Sequence, residues 1–147
     1  MSSIKKFEKL LNDLPKIINN MAENEFRKKI SINKWSKQEI LGHLCDSAAN
    51  NHFRFVRIIL SDELVSIDGY KQNEWVEIHD YQNSYNKSDL LALWVQLNKH
   101  ILNVIKKAEP SDFNKQCALS DKSTVTLGWL FDDYVNHLEH HIRQILS

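Results

Sequence analysis

Glycine and proline are nearly absent from this chain, at three and two residues of 147. A β-rich domain of that size needs many tight turns, and tight turns draw on both residues. Their scarcity favours long helices with few connections. Cysteine is as rare, at two residues, Cys45 and Cys117. Two cysteines build no disulfide framework, and without an export signal they are expected as reduced thiols in a cytoplasm. Net charge is missing too, with 19 basic residues against 19 acidic. That argues against a nucleic-acid footprint, which needs a basic patch, and against electrostatic attachment to anionic membranes. No apolar run approaches the ~20 residues of a membrane helix. The opening MSSIKKFEKLLNDL lacks the continuous apolar core of a signal peptide. Repeats and low-complexity tracts are absent. A soluble chain of 147 residues with 42% apolar content is read as one domain, residues 1–147, with a sizeable core.

What is present is helical periodicity, in four segments. The first runs from Ser3 to Met21, with Phe7, Leu14 and Ile18 on one face; Pro15 inside it is expected to kink or interrupt it. The second begins at Ser36, where Ser36-Lys37-Gln38-Glu39 reads as a capping box, and runs to about Leu60. A third runs from a cap at Ser88 to Ala108, before the breaker Glu109-Pro110. The segment from Phe113 to Lys122 is read as a loop, and the fourth helix as starting at Ser123 or Thr124 and continuing to the C-terminus. The long stretch from Ser61 to Lys87 holds too many aromatics for a disordered linker and is read as functional or as carrying short helical turns. The fold expected is all-α, a four-helix bundle with a long crossover connection between helices 2 and 3.

The last helix carries three of seven histidines in five positions, His137, His140 and His141. Histidine is a mediocre helix former and an awkward core residue. On a helical wheel, His137 and His141 fall one turn apart beside the apolar arc, so two imidazoles can reach one ion. His140 falls at the polar border, and Gln144 near His137. On the second helix, His43 sits at the edge of the stripe and heads a polar row with Ser47, Asn50 and Arg54. Cys45 lies about 200° from His43 and belongs elsewhere. Three neutral imidazoles from two helices can hold a divalent ion and leave a position open. Zinc and nickel both suit nitrogen ligands, and the residues do not separate them. The alternative is a set of core-edge histidines hydrogen-bonded to one another or to Asp46 and Asp133. The metalloprotease pattern HExxH is absent. The sequence assigns no catalytic residue; Glu39, Asp46 and Asp133 are candidate bases by position only. Trp35, Trp75, Trp94 and Trp129 are read as core, Cys117 as a loop thiol, and His52, His79 and His100 as surface or structural.

The string from His137 through His140-His141 to Gln144 resembles the C-terminal histidine motif of DinB/YfiT-like proteins. The stretch from Trp35 and Ser36 through His43 to Asp46-Ser47 resembles the same family's tryptophan, capped helix and first metal histidine. Asn50, Arg54-Phe55 and the pair Tyr70 and Trp75 are similar to its YfiT branch. The resemblance covers about Trp35 to Ile145. It implies a bundle with zinc or nickel on His43, His137 and His141, and commonly a homodimer. It also implies possible transfer of a low-molecular-weight thiol, bacillithiol-like or mycothiol-like, to an electrophile, or hydrolysis of a small amide or ester. Gln144 stands where some YfiT-like members have another histidine, which favours His137 with His141 over a pair built on His140.

This chemistry is physically reasonable. A metal with an open position lowers the pKa of a thiol or water on it, and a thiolate is the nucleophile of thiol transfer. Arg54 and Arg57 are expected to hold the carboxylates of an anionic thiol, Asn50 to orient water or substrate, and His140 and Gln144 to support the ligands. The expected partner is a small-molecule substrate rather than nucleic acid or membrane. A bundle that binds metal or a ligand without turnover is the non-catalytic alternative.

Overall fold

The computed structural model describes residues 2–147. Helices α1 (Ser2–Asn20), α3 (Lys37–Leu60), α6 (Lys87–Lys107) and α7 (Leu127–Leu146) form a four-helix bundle. Short α2 (Glu23–Arg27) lies between the first two, and α4 (Gln72–His79) and α5 (Tyr81–Ser84) lie between α3 and α6. Each long helix packs on two others: α3 and α1 both pack on α6 and on α7. The core is made from the expected stripes, with Phe7, Leu14, Ile18, Phe55, Trp94 and Phe131 completely buried.

Helix α3 starts where the capping box places it. Ser36 Oγ accepts from the Glu39 amide, and the Glu39 carboxylate accepts from the Ser36 amide. Asn86, two residues ahead of the expected Ser88, caps α6. Helix α1 runs unbroken through Pro15, because Leu14 and Ile18 on either side are fully buried and hold its line.

Helices α3 and α6 run parallel: Cys45 lies against Leu90, and His52 against His100 further along both. Parallel neighbours cannot be joined by a tight turn, so residues 61–86 form the crossover expected from the sequence. That crossover carries β1 (Val65–Ser66), α4 and α5. Helix α7 runs antiparallel to α3, since Phe131 meets Phe55 while His141 meets His43.

The segment before α7 differs from the sequence reading. A 3₁₀ turn (Pro110–Asn114) leads into β2 (Gln116–Ala118) and β3 (Thr124–Thr126), an antiparallel pair to which β1 adds in parallel. Cys117 is therefore a fully buried strand residue, and α7 begins at Leu127 with Thr126 as its cap. Strands of two or three residues are too short to show alternation, so they read as loop. No described helix is long and apolar enough to cross a membrane.

Candidate metal centre

His43 occupies the second turn of α3 and is completely buried. His137 and His141 face it from α7, half-buried and one turn apart. The His43 ring centroid lies 5.4 Å from that of His137 and 4.8 Å from that of His141. One nitrogen from each ring falls within 4.8 Å of the other two. The Nε2 atoms of His137 and His141 are 3.1 Å apart. His141 Nδ1–H donates to Gln144 Oε1 at 2.8 Å, which leaves the Nε2 lone pair facing the other two rings.

Both ring nitrogens of His43 are buried with no hydrogen-bond partner. A buried polar atom without a partner carries a desolvation cost of about 1–3 kcal/mol, so native structures pair nearly all of them. Three converging imidazoles, one wholly unsatisfied, are the donor set of a divalent ion, and the residues fit such an ion. Burial, then the neighbouring His141 and His137, lowers the His43 pKa to about 3. Burial, with His141 and His140, lowers that of His137 to about 4. His141 is lowered as well, mainly by burial. All three are thus neutral near pH 7, the state that binds metal.

The remaining candidates separate. Gln144 adjoins the histidine cluster, holding His141 rather than His137. His140 is exposed, its ring 5.2 Å from that of His141. Asn50 donates to the Asp46 carbonyl one turn back on its own helix. Arg54 donates to the Asp68 carbonyl and to Asn51 Oδ1, and Arg57 to the Ser66 carbonyl. Both arginines thus clamp the crossover to α3. Helical spacing aligned them with His43 but could not show these backbone acceptors in the crossover. Glu39 is taken by the capping box and Lys29, and Asp133 is exposed.

Sequence reasoning missed three features. First, Trp35 is not simply core: its ring lies 4.9 Å from that of His43, and it also lines a cavity of about 760 Å³. Gln144 lines the same cavity, so two residues that touch the histidines also form its wall. Trp129 departs further, being 49% exposed, whereas Trp94 is core as expected.

Second, one turn after His43, buried Asp46 accepts a 2.5 Å hydrogen bond from Tyr81 Oη and lies 3.6 Å from His79 Nδ1. Burial raises the Asp46 pKa, partly offset by Tyr81 and His79; burial and Asp46 push Tyr81 far above its usual value. Third, Gly42 is the reason Tyr81 fits. A Cβ at Gly42 would sit 2.1 Å from Tyr81 Cδ2. His79 and Tyr81 lie in the crossover, far from α3 in sequence, so no spacing could reveal their contact.

The chain matches the DinB superfamily over residues 6–145 and belongs to it. It is 26% identical over 144 residues to a Bacillus cereus (strain AH820) protein provisionally named a metal-dependent hydrolase, covering 98% of this chain and 82% of that one. A protein of Oceanobacillus iheyensis with the same provisional name is 23% identical over 141 residues, covering 93% of this chain and 80% of the relative. Among solved structures, the fold resembles YfiT from Bacillus subtilis, described as a probable metal-dependent hydrolase with an unusual four-helix bundle topology. The TM-score is 0.86 at 24% identity, over 99% of this chain and 82% of that one. It also resembles a mycothiol-dependent maleylpyruvate isomerase, with a TM-score of 0.69 at 13% identity, over 93% of this chain and 58% of the other.

Proposed function

We propose that the protein is a metal-dependent enzyme acting on a small molecule, with zinc or nickel on His43, His137 and His141. The observation that carries this reading is buried His43, whose ring nitrogens lack partners and one of which lies within 4.8 Å of a nitrogen from each of two neutral imidazoles. A divalent ion held there supplies Lewis acidity and lowers the pKa of a protic group that shares it. The chain's own residues do the rest. Gln144 fixes the His141 tautomer, Trp35 shields His43 on one face, and burial keeps the imidazoles free of protons.

The reaction we favour is transfer of a low-molecular-weight thiol to an electrophile. A sulfur–carbon bond forms, the leaving group departs with its electron pair, and the thiol proton passes to solvent. The protein supplies no thiolate of its own, since Cys45 and Cys117 are buried and burial raises both pKa values. No carboxylate completes the histidine group among the described residues, so it has no adjacent base like that of HExxH enzymes. A thiol needs less help from a base than water does, and the fold likeness to a mycothiol-dependent enzyme supports the same reading. Hydrolysis of a small amide or ester is the second reading, favoured by the names of the relatives.

Elemental analysis of untagged protein tests the centre. One zinc or nickel per chain is expected, lost in His137→Ala. Metal-free protein after reconstitution would sink the reading. Turnover of 1-chloro-2,4-dinitrobenzene with bacillithiol, absent when the thiol is omitted, selects transfer; turnover of an ester without thiol selects hydrolysis.

A further inference from the structure

The cavity beside the histidines has a lopsided charge. The segment from Lys28 to Lys37 carries four lysines in ten positions. Two are neutralised: Lys29 pairs with Glu39 at 2.7 Å and Lys37 with Glu25 at 3.2 Å. Lys28 and Lys34 have no carboxylate within ion-pair distance among the described residues, and both line the cavity. Lys37 lines the cavity too, but its charge is met by Glu25 in the same wall, so the uncompensated side-chain charge there is that of Lys28 and Lys34. The opposite requirement is met by Ile30, Trp35 and Ile40, which supply an apolar wall. Ile30 is 80% exposed, a large aliphatic side chain left in water at the rim. At about 760 Å³ the cavity falls in the range of small-molecule sites, about 300–1,000 Å³.

We infer that this cavity binds an organic anion, with its carboxylate between Lys28 and Lys34 and its apolar body against Trp35 and Ile40. The inference rests on the metal-centre reading for what happens next: Trp35 and Gln144 belong to both sites, so a ligand seated here directs its far end to the histidines. The positive charge expected from Arg54 and Arg57 is thus supplied from another part of the chain. Lysine fits this duty, because flexible point charges accept carboxylates of varied geometry.

Two fluorescent probes of nearly the same shape test it: 8-anilinonaphthalene-1-sulfonate, an anion, and N-phenyl-1-naphthylamine, uncharged. Titrations use metal-free protein in chelator and metal-loaded protein, so binding is read independently of the metal. Wild type is expected to bind the anion at one site, with affinity weakened by salt and competed by 4-phenylbutyrate. Lys28→Glu/Lys34→Glu is expected to lose at least about tenfold for the anion and to keep its affinity for the uncharged probe. Both lysines are exposed, and retention of the uncharged probe controls for folding. Equal anion affinity in the variant, parallel loss of both probes, or no anion binding by wild type overturns the inference. Charge-dependent binding in a protein that never takes up metal upholds the anion site while sinking the metal centre.

Discussion

Histidine chemistry at this site follows from burial more than from sequence neighbours. An unfolded histidine titrates near 6.5, whereas folded His43 and His137 wait until about 3 and about 4. Below pH 6.5 the unfolded chain therefore takes up protons that the folded chain refuses. This stability is present above 6.5 and is lost as pH falls toward 4 and 3. Urea midpoints of metal-free protein in chelator are expected to drop steadily from pH 7 to pH 4, with a shallower drop in His43→Asn. A flat wild-type profile would contradict it. Gly42 gives a second prediction at this scale, because two effects oppose. Alanine in place of an interior helical glycine stabilises by about 1 kcal/mol. The clash with Tyr81 outweighs it, since overpacking of a core costs about 1–3 kcal/mol and this contact is only 2.1 Å. Gly42→Ala should lower the urea midpoint, and a raised midpoint would mean that Tyr81 does not sit there.

At the scale of elements, Ser36 does two jobs. It caps α3, and its hydroxyl donates to Gln82 Oε1 in α5, at 2.5 Å. Loss of a cap costs about 1 kcal/mol and loss of a second hydrogen bond a similar amount. Ser36→Ala is expected to lose about 2 kcal/mol by denaturant titration, against about 1 for Ser36→Gly, which tolerates the cap position better. The long helices were legible because apolar rows such as Phe7, Leu14 and Ile18, or Leu130, Tyr134 and Leu138, recur at the helical period and the box at Ser36 marks a start. His43, His137 and His141 were legible for the same reason, since each sits at the edge of a stripe. The strands at Gln116 and Thr124 were not, because three residues carry no period. Nor was the Asp46–Tyr81–His79 cluster, whose members meet only through the crossover. The arginines show the limit of a wheel: it gives the face of Arg54 but not the Asp68 carbonyl that occupies it.

For the whole molecule, the histidine cluster brings α3 and the last helix together. Metal that binds only the folded chain stabilises it by mass action, about 2.7 kcal/mol at a hundredfold excess over Kd. Saturating zinc is therefore expected to raise the melting temperature by several degrees, and a chelator to reverse the rise. His137→Ala should melt at the same temperature with or without zinc. Because α3 and α6 run parallel, a crossover must be laid down before the core closes, and long-range closure of this kind slows folding. An ion gripping His43 and His137 would close a loop of roughly 100 residues, where chain-entropy estimates assign a covalent cross-link about 4–5 kcal/mol. In a chain with only two cysteines, both buried and free, that ion would be the nearest thing to a disulfide: a staple that an exchangeable metal sets and a chelator withdraws.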